Sequence, residues 1–365
     1  MGLKIGVVVH GPEIVDSGYA LKIINLLKKF GEVKAKLGGT MGRVAVIDNN
    51  LQDSIDISEK LMPSQSLKKL ADNDILVLMN YGKSKITGHT FGKIVVKRAN
   101  LNKPIIQIER PGEKDGTIII WNDDGSEVVK EIANYLSKEL NLKIERCISN
   151  GLEVWEENGR VFRKVHGVDV GEAILVNGIV VGRAKSNEVI LVAENGKIVD
   201  IIGGELKEGG IEKLKDVDLK TAVIKTGVLR RHPTNPKIEN KNIDKGYVVV
   251  VNHAGEDVIE KIKNKEVLAV ITVGDDTTTI CGDILARFGI KIIGITDGDR
   301  DDILKNPVIL KGSVIFLIKN MRDDDVGKIL EESLDFGKEY SYDELLNDIK
   351  KIFNEKNICY EEFVY

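Results

Sequence analysis

Residues 267–304 constrain the fold of this 365-residue chain more than any other stretch. Two apolar runs, residues 267–273 and 290–296, flank a segment of one helix length, which is typical of a strand–helix–strand unit. In a right-handed unit of this kind, both strands end at the same edge of the sheet. The segment therefore predicts a mostly parallel sheet covered by helices.

Acidic residues follow each of these two predicted strands. Because neighbouring strands lie about 4.8 Å apart, the two acidic groups should converge, with side-chain oxygens within about 8 Å of each other. Converging carboxylates beside a helix N-terminus suit Mg²⁺ and the phosphates that it carries. We expect Asp297 and Asp299 to be catalytic and Thr277 to contact substrate, and we expect four metal ligands: Asp275, Asp276, Asp297 and Asp299.

These acids also have a purely structural interpretation. Asp276 or Thr277 can cap the helix predicted at residues 278–288, and residues 297–299 can form a tight turn. Residues 275–302 hold more acids than caps and turns require, which favours the cation site.

The same residues resemble known families. The acids after the two strands, with Asp297 and Asp299 one residue apart, resemble the Toprim fold of primases and topoisomerases, although that family has a glutamate where this chain has Asp275 and Asp276. Residues 298–301, Gly-Asp-Arg-Asp, also resemble a motif of thiamine-type pyrophosphokinases. The chain as a whole resembles an archaeal family of unknown function from methanogens, which implies no activity.

A basic loop at residues 226–237 is a candidate anion site. It contains Arg230, Arg231 and His232 between prolines and a predicted strand. Arginine offers two parallel hydrogen bonds to a phosphate, so these three residues are predicted to bind substrate. A solvated surface loop is the competing interpretation. His253, which follows another predicted strand, is either a second candidate or a plain turn residue.

Glycine-rich segments follow three predicted strands near the N-terminus, at residues 10–13, 38–43 and 80–90. Glycines let backbone N–H groups approach a phosphate, but they equally serve as ordinary strand–helix turns. Neither a P-loop nor a dinucleotide-binding fingerprint is present in these segments. Ligand binding at this edge therefore stays open.

The order of predicted elements divides the chain into four parts. Residues 1–144 and 211–340 alternate strands and helices, which predicts two three-layer α/β domains, the first of them Rossmann-like. Three Asn-Gly dipeptides lie between apolar runs in residues 145–210 and predict hairpins of a small antiparallel β domain. Residues 341–365 should form a C-terminal helix and tail, with a Ser-x-x-Glu capping box.

Composition narrows the functional classes. The net charge of −4 argues against sequence-independent nucleic-acid binding, and no apolar run is long enough to span a bilayer. Three scattered cysteines form neither a disulfide framework nor a CxxC pair, so we expect a cytoplasmic protein. Scarce glutamine is typical of a thermophile.

The sequence therefore favours magnesium-dependent binding or transformation of a phosphorylated metabolite or nucleotide. Two other functions stay open: a non-catalytic protein that binds a metabolite or another protein, and a Toprim-like nuclease. Whether the chain is an enzyme, and its oligomeric state, are not determined by these patterns.

Overall fold

The computed structural model describes residues 2–241 and 243–365. It confirms the predicted α/β class, with several sheets and helices packed on them. The chain divides into two compact units. The first unit comprises the residues up to Val170, Lys185–Gly203 and Arg230–Thr234, and the second comprises Gly171–Ala184, Gly204–Leu229 and Asn235–Tyr365.

The first unit begins with alternating strands and helices. In chain order they are β1 Leu3–His10, α1 Glu13–Asp16, α2 Tyr19–Leu27, β2 Gly31–Gly38, α3 Gly42–Asp48, α4 Pro63–Lys69, β3 Ile75–Asn80, α5 Lys85–Ala99, β4 Ile105–Glu109, β5 Thr117–Trp121, α6 Glu127–Leu140 and β6 Lys143–Ile144.

These strands form one sheet in the order β2-β1-β3-β4-β5-β6, in which β1 to β4 are parallel and β4 pairs with β5 antiparallel. Alternate residues of β1 enter two different cores. Val7 packs with residues of α2 and α6, whereas Val8 packs with residues of α4 and α5. Helices therefore cover both faces, as the predicted three-layer arrangement requires.

The middle of the chain is rich in short strands. They are β7 Val154–Glu157, β8 Arg160–Val165, β9 Ala173–Val176, β10 Ile179–Ala184, β11 Val189–Glu194, β12 Lys197–Ile202 and β13 Gly204–Leu206, followed by α7 Glu208–Leu214 and β14 Ile224–Thr226.

The three Asn-Gly hairpins are confirmed. Asn158-Gly159, Asn177-Gly178 and Asn195-Gly196 join β7 to β8, β9 to β10 and β11 to β12, and all three asparagines and their glycines have positive φ. This is the conformation that a two-residue type I′ turn requires.

The hairpins do not form the single β domain that the sequence predicted. The first and third pair in a sheet of order β12-β11-β8-β7, which belongs to the first unit. The second pairs in a sheet of order β13-β10-β9-β14, which belongs to the second unit. A hairpin signal reports only the local turn, and the partner strands of each hairpin are chosen by packing that the turn does not encode.

The C-terminal part returns to alternating elements. These are β15 Tyr247–Val251, α8 Val258–Ile262, β16 Val267–Val273, α9 Asp275–Leu285, β17 Lys291–Thr296, β18 Val314–Ile318, α10 Asp323–Ser333, α11 Tyr342–Glu355 and β19 Tyr360–Val364.

The second parallel sheet has the order β15-β16-β17-β18-β19, with β15 to β18 parallel and β19 antiparallel at the edge. One face packs on α10 and α11 around Phe316 and Phe353, and α9 contacts the strands β16 and β17. The predicted C-terminal helix is confirmed by α11. Ser341 caps it, since Ser341 Oγ accepts a hydrogen bond from the N–H of Glu344 at 3.3 Å. The strand β19 was not predicted.

No helix among the described residues combines the length and the apolar character that crossing a membrane demands.

Candidate functional site

Three aspartates meet at the carboxyl edge of the second parallel sheet. Asp275 begins α9 directly after β16, Asp297 follows β17, and Asp323 begins α10 after β18. One carboxylate oxygen from each of these residues lies within 4.8 Å of the other two. They converge because β16, β17 and β18 are adjacent parallel strands, whose carboxyl ends share one edge.

The predicted approach of the two acidic groups is confirmed by Asp275 and Asp297. Asp275 also organises the backbone of the second group. Its Oδ2 accepts hydrogen bonds from the N–H groups of Asp297 at 3.1 Å, Gly298 at 3.0 Å and Asp299 at 3.3 Å. The helix α9 starts three residues earlier than predicted, so Asp275 lies in its first turn, where a carboxylate is favoured.

Asp323 is the most buried member of this cluster, with 3% of its surface exposed. Within residues 2–241 and 243–365, no hydrogen bond or ion pair to its carboxylate is found. Burial and the neighbouring charge of Asp297 raise the pKa of Asp323 to about 7, while Lys213 opposes that rise. A buried carboxylate without a donor needs a proton or a cation.

Burial also raises the pKa of Asp297, with further contributions from the charges of Asp299 and Asp275. Asp276 points to another partner, because its Oδ1 accepts the N–H of Asp301 at 3.0 Å. Burial and the charge of Asp301 raise the pKa of Asp276 to about 7. The cluster is thus a region where ionised carboxylates are disfavoured unless positive charge is supplied.

Lys207 supplies part of that charge, but to different acids. Its Nζ lies 3.0 Å from Asp299 Oδ2 and 2.6 Å from Asp301 Oδ2. Burial lowers the pKa of Lys207, but the two carboxylates outweigh burial and raise it overall. Of the four predicted metal ligands, Asp276 therefore contacts Asp301 and Asp299 contacts Lys207. The other two, Asp275 and Asp297, lie beside Asp323.

A cavity of about 290 Å³ opens over this edge within the second unit. Thr277, a predicted substrate contact, lines it, and so do the first turns of α9 and α10. His253 lies on another wall, where burial and the charges of Lys261, Lys215 and Lys213 lower its pKa. The lining combines carboxylates with helix N-termini.

The structure places the three predicted basic residues of the loop against acidic residues of the first unit. Arg230 belongs to the first unit, where its guanidinium donates to both oxygens of Asp16 at 2.7 Å and to Asp48 at 2.7 Å. Its charge is already matched by two buried carboxylates, so the structure gives no support to a phosphate-binding role for it. The N–H of Arg231 and the ring of His232 both contact Glu13.

Sequence reasoning missed Asp323, Lys207 and Lys213. Asp323 was within reach of the strand-end argument, because residues 323–325 are three consecutive aspartates after β18, the fourth parallel strand of this sheet. The two lysines lie in a segment without a motif, and Lys213 Nζ lies 3.1 Å from Asp324 Oδ1. No local signal identifies them.

Comparison with known proteins places the chain among archaeal sequences. A family model described as "Uncharacterized protein conserved in archaea (DUF2117)" matches residues 7–338. The chain is 87% identical over 363 residues to the uncharacterized protein MJ0065 of Methanocaldococcus jannaschii, with 100% of both chains covered. The resemblance to an archaeal methanogen family is thus confirmed.

Solved structures give only distant similarity. A type III CRISPR defence DNA nuclease activated by cyclic oligoadenylate is 8% identical, with a TM-score of 0.22, and the match covers 86% of this chain and 65% of that one. An Aa-Ago structure with externally bound siRNA is 11% identical, with a TM-score of 0.17, covering 87% of this chain and 36% of that one. Similarity this low supports no argument about function, and neither match supports the Toprim resemblance.

Proposed function

The chain belongs to this family of archaeal proteins, and we propose that it binds Mg²⁺ at Asp275, Asp297 and Asp323 and, through it, a phosphorylated metabolite or nucleotide. The ion would act as the link between the carboxylates and the phosphate oxygens. We further propose that the protein is cytoplasmic and comes from a thermophile, as its composition indicates.

The carboxylate of Asp323 is the observation that carries this proposal. It is 3% exposed and has no hydrogen-bond donor among the described residues, yet oxygens of Asp275 and Asp297 lie within 4.8 Å. An acid placed there only for folding would be expected to accept hydrogen bonds, since buried polar groups are normally satisfied. Three converging oxygen ligands fit a hard divalent cation.

The charge around the cavity explains why a cation would have to precede an anionic ligand. Eight carboxylates and three basic side chains line the cavity, so a bare phosphate would be repelled. A bound Mg²⁺ would reverse the local field. The N-termini of α9 and α10 and the ammonium of Lys213 could then stabilise phosphate oxygens.

The test is a thermal-unfolding series with Mg²⁺ or Mn²⁺ alone, and then with ADP or pyrophosphate added. A ligand that binds only the folded state stabilises it by mass action and so raises the melting temperature. At a ligand concentration of one hundred times Kd, the unfolding free energy increases by about 2.7 kcal/mol. We expect Mg²⁺ to stabilise the wild type and Asp323→Asn to abolish that effect. Lys213→Gln should keep the effect of Mg²⁺ and reduce the additional effect of ADP.

Asp325→Asn is the matched control, because Asp325 is exposed on the same helix. It should respond to Mg²⁺ like the wild type. If the wild type ignores both ions at millimolar concentration, the metal site is wrong and a non-catalytic binding protein becomes the better hypothesis. Turnover of ADP or pyrophosphate in the same samples would distinguish an enzyme from a binding protein.

A further inference from the structure

A histidine and a buried glutamate meet at the carboxyl edge of the first sheet. Glu13 begins α1 shortly after β1, and Tyr81 follows β3 directly. The chain runs from β1 to β2 on one side of β1, whereas β3 pairs with its other side, so the strand order reverses between β1 and β3. Ligands of open α/β sheets bind in the crevice at such a reversal. The segment Arg230–Thr234 belongs to the same unit and brings Arg231 and His232 to these two residues.

Glu13 determines which nitrogen of the histidine ring carries the proton. Its buried carboxylate contacts Nδ1 of His232 through Oε2 and accepts the backbone N–H of Arg231 through Oε1. A carboxylate only accepts hydrogen bonds, so Nδ1 is the donor. The lone pair of the neutral imidazole therefore lies on Nε2.

Two polar groups of this segment have no hydrogen-bond partner among the described residues. They are Nε2 of His232 and Nη1 of Arg231, because the other guanidinium groups of Arg231 lie 2.9 Å from the carbonyl oxygen of Tyr81 and 3.5 Å from Glu13. Each of the two side chains is 31% exposed. The ring of Tyr81 packs perpendicular to that of His232, with centroids 5.5 Å apart, and supports it from a second side. An acceptor and a donor thus lie on neighbouring, supported side chains.

His89 of the same unit is a histidine that the fold uses completely. It is 0% exposed, its Nε2 lies 2.9 Å from Thr117 Oγ1, and its Nδ1 accepts the N–H of Ile148 at 3.2 Å. Both nitrogens are satisfied, as is normal for a buried polar side chain. The fold needs only Nδ1 of His232, so its Nε2 is available to a ligand.

The charges around this edge favour an anion over a cation as that ligand. The nearby acids have donors of their own, since Asp115 Oδ1 lies 2.9 Å from Nε of Arg110 and Glu113 accepts the phenol O–H of Tyr81. The guanidinium of Arg110 also lies over the Tyr81 ring, 5.7 Å from its centroid. A cation at the histidine would lie beside the guanidinium of Arg231 and be repelled, whereas an anion would be attracted.

We propose that Arg231 and His232 form a second site, at the reversal between β1 and β3, for a small oxyanion that carries its own O–H group. Hydrogen phosphate is the simplest such anion. Nη1 of Arg231 donates to one oxygen of the anion, and the O–H group of the anion donates to Nε2 of His232. Sulfate has no proton to donate, so its oxygens face the lone pair of Nε2 and are repelled. Glu13 is a positioning residue, because it sets which ring nitrogen accepts.

The first test is a titration of the wild-type protein with phosphate or sulfate in EDTA. In the ¹⁵N–¹H spectrum of histidine-labelled protein at about pH 8, above the usual range of histidine titration, His232 should show the Nδ1–H tautomer. Phosphate should shift its resonances saturably. Sulfate should bind about tenfold or more weakly, because it cannot make the hydrogen bond to Nε2. The resonances of His89 are the internal control and should not move.

Two variants then separate the acceptor from its support, with circular dichroism confirming that each is folded. His232→Asn keeps an N–H group for Glu13 at the position of Nδ1 and has nothing in place of Nε2. Its affinity for phosphate in isothermal titration calorimetry should fall about tenfold or more, to that for sulfate. Glu13→Gln should reduce the preference for phosphate, because an amide both donates and accepts and so permits either tautomer.

Three results would overturn the proposal and leave His232 with a purely structural contact to Glu13. They are equal binding of phosphate and sulfate, an Nε2–H tautomer in the wild type, and no saturable shift at millimolar phosphate. Asp323→Asn should bind phosphate in EDTA like the wild type. This site and the metal site of the second unit are therefore tested separately.

Discussion

Both parallel sheets bury a carboxylate at the carboxyl edge, Glu109 in the first unit and Asp323 in the second, with 0% and 3% of their surfaces exposed. Burial raises the pKa of each to about 7. Glu109 accepts hydrogen bonds from Gly82, Asn80 and Gln107, whereas Asp323 accepts none among the described residues.

The difference shows that burial alone does not identify a ligand site. A buried carboxylate surrounded by donors has its hydrogen-bonding capacity satisfied, and it holds those donors in a defined orientation. A buried carboxylate that faces other carboxylates is unsatisfied until a proton or a cation binds to it. The same contrast holds for the basic residues, because Arg230 of the first unit is matched by Asp16 and Asp48.

The largest expected effect comes from breaking the matched charges of the first unit. Arg230→Ala removes the guanidinium that pairs with the buried carboxylates of Asp16 and Asp48, and breaking a buried ion pair in this way costs about 3–5 kcal/mol of unfolding free energy. Urea denaturation followed by tryptophan fluorescence measures it, because both tryptophans, Trp121 and Trp155, lie in the first unit.

Arg160→Ala is the control for that measurement. Arg160 pairs with Glu194 in the same unit, but the side chains are 49% and 41% exposed. An exposed pair contributes about 1 kcal/mol or less. Equal losses for the two variants would show that the buried pair is not a matched, desolvated one.

A smaller loss of unfolding free energy is expected where Gly92 of α5 packs against Gln107 of β4. Gly92→Ala places a methyl group 1.8 Å from Gln107 Oε1, and such overpacking typically costs about 1–3 kcal/mol. The same substitution in a Gln107→Ala background should cost less, because the clashing amide is gone. Fluorescence-detected urea denaturation again reports the result, and an unchanged cost in the double variant would contradict the clash.

The smallest effect is expected in the second unit, and its sign is opposite. The pKa of Asp323 is raised to about 7 in the folded state, so the folded protein keeps a proton that the unfolded chain releases as pH rises above about 4. Without metal, stability should therefore fall as pH rises toward about 7. At about pH 8, Asp323→Asn should be more stable than the wild type by about 1 kcal/mol.

Calorimetry across this pH range, in EDTA and in Mg²⁺, checks that prediction. The variant should have the shallower slope in EDTA, with the remainder carried by Asp276, whose pKa is also raised to about 7. Mg²⁺ should flatten the slope of the wild type, because an ion takes the place of the proton. If the stability of the wild type in EDTA does not depend on pH, the pKa of Asp323 is not raised in the folded state and this prediction is wrong.

The sequence by itself determined the elements that depend on local physics. Alternating apolar runs predicted the parallel strands of both sheets, and each Asn-Gly dipeptide predicted a turn, because few residues accept positive φ. The ends of two adjacent strands predicted that Asp275 and Asp297 would approach each other. The period of a pattern and the position of a strand end are properties of a few consecutive residues.

Only the tertiary structure decided which groups complete each other. Arg230 is 214 residues from Asp16 in sequence, and its pairing removes it from the anion site that its neighbours suggested. Packing of three adjacent strand ends brings Asp323 to Asp275 and Asp297. Asp276 instead accepts a hydrogen bond from Asp301, and Asp299 pairs with Lys207, which is distant in sequence. Partner choice depends on the summed packing of whole sheets, which no short pattern contains, and it separates a satisfied charge from one that needs a ligand.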